Sequence, residues 1–337
     1  MLNDGQHKKI SLNELSKDDE NGLNDIINVF EDNKLSDSVK AESDLSNIKP
    51  LALDIKEKMA NNGVSETLKI GFSNIDDDIN FLSSGLIIFE GPKASGKTCF
   101  TIQSMIQILQ ENPKIPVFYF AYGDSKKDIQ IRTMLSLTNI KRSDYRKGQF
   151  EDNEIAKGLK EYQRLGDRFF IIQGNQNYYP NKIKDTIINT LNKYYENNIP
   201  QENSCVVILD YLQEIPSIVG QNMEERIFNV INALKDISKM LSIPLIVVYG
   251  NNDVEKLITE NDEIKVTVEK KETLDFAADV YISLVPSHMR GTDKLTKNLP
   301  KDVRAYTFKI SKNKNGDIGE KNLLYSPSYA KWYSVNL

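Results

Sequence analysis

Leu86-Ile87-Ile88-Phe89-Glu90-Gly91-Pro92-Lys93-Ala94-Ser95-Gly96-Lys97-Thr98 holds the most informative pattern in the 337-residue chain. Leu86 to Phe89 read as a strand buried on both faces. Gly91 to Thr98 then match G-x-x-x-x-G-K-[ST] without a gap, and apolar residues from Phe100 to Leu109 recur at helical spacing. Strand, glycine-rich loop and helix are the context this phosphate-binding motif requires. Its glycines let backbone N–H groups curl around phosphate oxygens at a helix N-terminus. Gly91, Pro92, Lys93, Ala94, Ser95, Gly96, Lys97, Thr98 and Cys99 are therefore candidate nucleotide contacts. Lys97 is placed to neutralise the β and γ phosphates of ATP and the Thr98 hydroxyl to ligate Mg2+.

Such a loop needs a carboxylate at the end of a neighbouring strand to hold the hydrated metal, and Asp210, closing the apolar run Cys205-Val-Val-Ile-Leu, supplies it. Around these two segments, β-rich runs alternate with amphipathic helical patterns, predicting strands at 86–89, 117–122, 169–172, 206–209, 245–249, 280–284 and 306–310. Ile227, Val230, Ile231, Leu234, Ile237 and Leu241 put one apolar stripe on a helix of about five turns. The expectation is an α/β domain over residues 68–337, with a mostly parallel central sheet flanked by helices.

Residues 1–49 read differently. Asp, Asn, Ser, Lys and Glu dominate them, with one amphipathic turn around Leu23, Ile26, Ile27 and Phe30, which predicts a disordered acidic arm. Leu51, Ile55 and Met59 then recur at helical spacing after Pro50, predicting a helix within a linker at 50–67. The formal net charge of −5 belongs to this end: residues 1–67 carry 14 acids and 8 bases, the remainder 34 and 35. A near-neutral body argues against coating nucleic acid by bulk charge. No apolar run approaches a membrane span and no secretory leader pattern is seen, so a cytoplasmic protein with no membrane partner is expected. Cys99 and Cys205 read as buried apolar residues, and with only His7 and His288 a histidine base is not expected.

At Asp210-Tyr211-Leu212-Gln213 the chain resembles the C-terminal motor domain of DnaB-type replicative helicases, within the RecA-like P-loop ATPases. The supporting segments run in that family's order. They are Ile70 to Asp76, GPKASGKT, VFYFAY, LDYLQEI, Ala233 to Pro244, Phe276 to Val280 and Lys312-Asn-Lys-Asn-Gly316. The resemblance implies a RecA-like fold, ATP and Mg2+ as cofactors, a homo-oligomer forming a hexameric ring, and single-stranded DNA in its centre. It further implies replication or recombination proteins as partners, 50–67 as a helix docking on the next subunit, Arg132 near the nucleotide base and Gln213 in the nucleotide site. Lys312 and Lys314 would reach the neighbouring subunit's nucleotide.

The departures from that family matter as much. Its catalytic Glu after the second strand falls on Gly123, with Asp124 next as the candidate to orient water. Its phosphate-sensing Ser-Gln becomes Tyr249-Gly250, Asp253 and Asn232 stand where Arg is usual, and Lys314 replaces an arginine finger, keeping charge while losing the bidentate fork. The family's large primase-binding domain has no counterpart in residues 1–67. Its DNA-contacting loops map to the stretch after Tyr122 and to 214–225, which holds no Lys or Arg before Arg226; Lys126-Lys127 and Lys141-Arg142 are the nearby bases. Two readings follow: an ATP-dependent helicase motor, or an ATP-binding paralogue that hydrolyses little and serves assembly. A RecA-like recombinase or clock-type ATPase shares the loop but not DYLQ or KNKNG. Abundant Asn, Lys and Ile fit an AT-rich bacterial, plasmid or phage genome.

Overall fold

A computed structural model describes residues 68–76, 82–200, 202–218, 220, 222–251, 274–287, 302–314 and 316–335. The acidic arm, the helix at 51–59, His7, Asp253 and His288 lie outside the described residues. Nine strands form one sheet: β1 Gly85–Pro92, β2 Val117–Ala121, β3 Phe169–Gln173, β4 Val206–Asp210, β5 Pro244–Asn251, β6 Val280–Pro286, β7 Arg304–Asn313, β8 Gly319–Ser326 and β9 Lys331–Ser334. The helices are α1 Ser73–Asp76, α2 Lys97–Glu111, α3 Lys126–Ser136, α4 Arg142–Lys147, α5 Asp152–Arg164, α6 Pro180–Tyr194 and α7 Met223–Leu241.

The strand order is β3-β2-β4-β5-β1-β6-β7-β8-β9. β1 to β6 pair in parallel, and β7, β8 and β9 continue the sheet as an antiparallel meander. The mostly parallel α/β sheet is the one expected from the sequence, and each predicted strand is present. β8 and β9 are additional: the sequence pattern predicts no strand beyond residue 310.

Burial on both faces explains the apolar runs. Every residue of β2 and β4 is buried. Ile87, Phe89, Tyr119 and Ile208 pack with Phe100, Ile102 and Met105 of α2 on one face. Leu86, Ile88, Phe118 and Leu209 pack with Ile183 and Ile187 of α6 and with Val230, Ile231 and Leu234 of α7 on the other. The helical stripe predicted on α7 is thus the stripe that covers the sheet. Cys99 and Cys205 are buried free thiols. Parallel strands place all their carboxyl ends on one edge, where an open α/β sheet takes its ligand. The ends of β1, β2, β4 and β5 bring Gly91, Gly123, Asp210 and Gly250 there.

Candidate functional site

The loop between β1 and α2 is shaped by two left-handed residues, Ala94 (φ 60°) and Gly96 (φ 89°). A Cβ at Gly96 would lie 2.7 Å from the Tyr325 ring, so glycine is required there for conformation and for space alike. Gly96 is also the N-cap of α2 and offers no side-chain cap, so the first N–H groups of that helix point outward uncapped. Together they make an anion cradle.

Lys97 folds back over the loop, its Nζ donating to the carbonyls of Gly91 and Pro92, each at 2.7 Å. Burial lowers its pKa to about 8, against the opposing pull of Asp210 and Glu90. Glu90 is itself buried and accepts hydrogen bonds from the Tyr281 hydroxyl at 2.7 Å and from Ser283 at 3.2 Å.

Asp210 ends β4 almost fully buried. The Tyr119 hydroxyl donates to its Oδ2 at 2.7 Å, while Oδ1 makes no hydrogen bond. Burial pushes the Asp210 pKa up, opposed by the Tyr119 and Thr98 hydroxyls and by Lys97. An unpaired buried polar oxygen costs about 1–3 kcal/mol, and a divalent cation is the kind of partner that satisfies it. The buried Ser95 Oγ is also unpartnered. An uncapped helix start, a glycine-shaped loop, a lysine and a free carboxylate oxygen form a donor set that fits magnesium and a nucleoside triphosphate.

A cavity of about 600 Å3 joins these groups. Of the residues expected from the sequence, Lys93 to Cys99, Asp210, Gln213 and Arg132 line it together. Gly91 and Pro92 take part through the carbonyls that hold Lys97. Asp124 is turned to Arg132, whose Nη2 lies 2.9 Å from Oδ1, in a pair whose side chains are 23% (Arg132) and 30% (Asp124) exposed. It does not border the cavity. Lys312 donates to the Asp275 carbonyl at 2.6 Å and Lys314 sits 3.7 Å from Asp279, both away from this chain's own cavity.

Two of the altered positions, Gly123 and Gly250, are crowded by neighbours. A Cβ at Gly123 would lie 2.5 Å from Cε1 of Tyr211, so that ring occupies the space a side chain would need. At Gly250 the carboxamide of Gln213 hydrogen-bonds the backbone twice, Nε2 to the carbonyl at 2.7 Å and the N–H to Oε1 at 3.4 Å. The Gln213 carbonyl in turn accepts from Arg226 at 2.9 Å. The first base after the expected DNA loop therefore points inward, toward the cavity wall.

Several wall residues carry no mark in the sequence: Arg304, Tyr325 and Pro327; Arg142 and Glu214, noted there only in connection with DNA, also line the cavity. Tyr325 comes from β8 and packs beneath the loop, its hydroxyl donating to Cys99 Sγ at 3.4 Å. Glu90 does have a signal, since an acid closing an apolar strand run must find partners when buried.

The family model described as DnaB-like helicase C terminal domain matches residues 67–334. The chain is 24% identical over 270 residues to the replicative DNA helicase DnaB of Buchnera aphidicola subsp. Baizongia pistaciae, covering 79% of this chain and 55% of that protein. It is 24% identical over 186 residues to a probable plasmid replicative DNA helicase of Chlamydia trachomatis, covering 55% and 39%. The chain thus spans a little over half the length of the first of these. Among solved structures, an ATPase domain superposes with TM-score 0.69 at 15% identity over 86% of this chain and 99% of that one. A DnaB-like replicative helicase, solved with its interactions with primase, superposes with TM-score 0.67 at 15% identity over 96% and 74%. The fold is the RecA-like ATPase fold of these helicase domains.

Proposed function

The chain belongs to the DnaB-like helicase C-terminal domain family, and on that footing we propose that it is an ATP- and magnesium-dependent motor acting on single-stranded DNA in replication. One observation carries the proposal: a complete phosphate loop at a bare helix N-terminus faces a buried Asp210 whose Oδ1 has no protein partner. Lys97 would leave the carbonyls of Gly91 and Pro92 for the β and γ phosphates. Thr98 and Asp210 would hold magnesium, which neutralises charge building on the transferred phosphoryl group. Arg132, Tyr325 and Gln213 border the same cavity; Arg132 would lie near the nucleotide base, and the Gln213 carboxamide is braced on Gly250.

Asp124 is the remaining candidate to orient water, and it must first leave Arg132. A positioned base is worth roughly 10²–10⁴ in rate and an arginine finger roughly 10³–10⁵, so slow turnover is expected with Gly123 and Lys314 in those places. Lys312 and Lys314 would act on a neighbouring subunit's nucleotide, in a homo-oligomeric, hexameric ring in the cytoplasm. Replication or recombination proteins are the expected partners. Among the described residues no helix is long and apolar enough to cross a membrane.

The test is displacement of a labelled strand from a forked duplex at fixed ATP and magnesium, for the wild type and Lys97→Ala. The proposal expects displacement that the variant abolishes. Nucleotide binding without displacement would replace the motor by a nucleotide-gated assembly factor.

A further inference from the structure

Tyr119 lies in the middle of β2, fully buried, in a strand whose other residues are Val, Phe, Phe and Ala. A buried phenol needs a partner for its proton, and this one gives it to Oδ2 of Asp210 at 2.7 Å. A tyrosine hydroxyl has one proton. Its second neighbour is Thr101 Oγ1 at 3.2 Å. Thr101 too has a single hydroxyl proton, given either to Tyr119 or to the carbonyl of Thr98 at 3.1 Å.

The Tyr119 hydroxyl thus joins β2 to the carboxylate of Asp210 on β4, with Thr101 of α2 beside it. Asp210 is one of the two residues proposed as metal ligands. Asp210 could otherwise turn about its last side-chain bond. With Oδ2 held by Tyr119, Oδ1 is the oxygen left without a partner, buried and facing the cavity that Thr98 and Lys97 also line.

We infer that Tyr119 is a positioning residue for magnesium: it fixes the Asp210 carboxylate so that Oδ1 is left for the ion, and Thr101 steadies the Tyr119 hydroxyl from α2. The inference rests on the magnesium–nucleotide reading above. Groups that orient metal ligands from behind typically contribute roughly ten- to hundredfold in metal affinity.

The experiment is calorimetric titration of ATP into the full chain, first in chelator and then at a series of magnesium concentrations, for the wild type, Tyr119→Phe and Thr101→Val, with thermal melting to check folding. Tyr119→Phe keeps the ring and removes only the oxygen. It is expected to need about ten- to hundredfold more magnesium to reach the wild-type affinity, with metal-free ATP affinity unchanged. Thr101→Val, which leaves the Tyr119 bond in place, should show a smaller rise and carries the test should the first variant not fold. An unaltered magnesium requirement in the folded variants overturns the inference, as does an equal loss of ATP affinity in chelator, which marks a general packing defect. A wild-type affinity indifferent to magnesium removes instead the reading on which the inference stands, and is told apart by needing no variant.

Discussion

Gly123 carries more information than an absent glutamate. Tyr211 occupies the space that a side chain at this position would need. Gly123→Glu alone must swing that ring aside, and we expect its steady-state ATP turnover to stay at the wild-type level. Gly123→Glu combined with Tyr211→Ala frees the space, and an increase of about 10² in turnover is expected if the introduced carboxylate then positions water. A double variant no faster than the single one would show that Asp124 or another group already performs that task. Lys97 gives a prediction of a different kind. Its pKa is lowered to about 8 by burial, so the free protein loses this charge as pH rises through that value. Bound phosphate restores the ammonium, so ATP affinity should hold below pH 8 and fall by up to about tenfold per unit above it. Affinity that stays flat to about pH 9.5 in a calorimetric titration would mean that Lys97 does not carry the charge that ATP meets. Lys97, Thr98 and Asp210 were legible because each has a strong spacing signal. Tyr119 and Tyr211 were not, because a tyrosine in an apolar strand or after it looks the same whether or not its hydroxyl or ring meets an active carboxylate.

Among the elements, β8 and β9 of the antiparallel meander are the part the sequence hid, whereas β7 contains the strand expected at 306–310. β8 reads Gly-Glu-Lys-Asn-Leu-Leu-Tyr-Ser and β9 only Lys-Trp-Tyr-Ser, too charged and too short for a buried-strand pattern. The parallel strands β1 to β6 were legible because burial on both faces forces continuous apolar runs. The meander nevertheless supports the phosphate loop. Trp332 Nε1 donates to the Gly96 carbonyl at 3.2 Å, and its ring stacks on Tyr325, centroids 4.7 Å apart, which in turn lies under Gly96. Its backbone exchanges two hydrogen bonds with Gln103 of α2, at 2.8 and 2.9 Å. Trp332→Ala should therefore lower stability by about 3–5 kcal/mol in urea unfolding. Should the protein remain folded, ATP affinity should drop with it. A stable variant with normal ATP affinity would detach the meander from the site.

At the scale of the whole molecule, the chain has a set of residues that fits a nucleotide, and it differs from the motor it resembles at the positions expected to split one. The proposed binding set is contained in one chain: loop, Lys97, Thr98 and Asp210 on neighbouring elements of one sheet edge. Lys312 and Lys314 lie outside that chain's cavity, so any part they play requires another subunit. The body from residue 68 onward balances 34 acids with 35 bases, so the proposed grip on DNA would have to come from local placement of charge and should weaken with salt. In the proposed ring that placement would depend on neighbouring copies, which one chain's sequence cannot position. The central claim, that this edge binds and slowly hydrolyses ATP as a motor, is tested most directly by steady-state ATP hydrolysis with magnesium, with and without single-stranded DNA, in the wild type and Lys97→Ala. Slow turnover that DNA stimulates and the variant abolishes is the expected result. Hydrolysis that persists undiminished in Lys97→Ala, or tight ATP binding with no turnover on DNA, would contradict it.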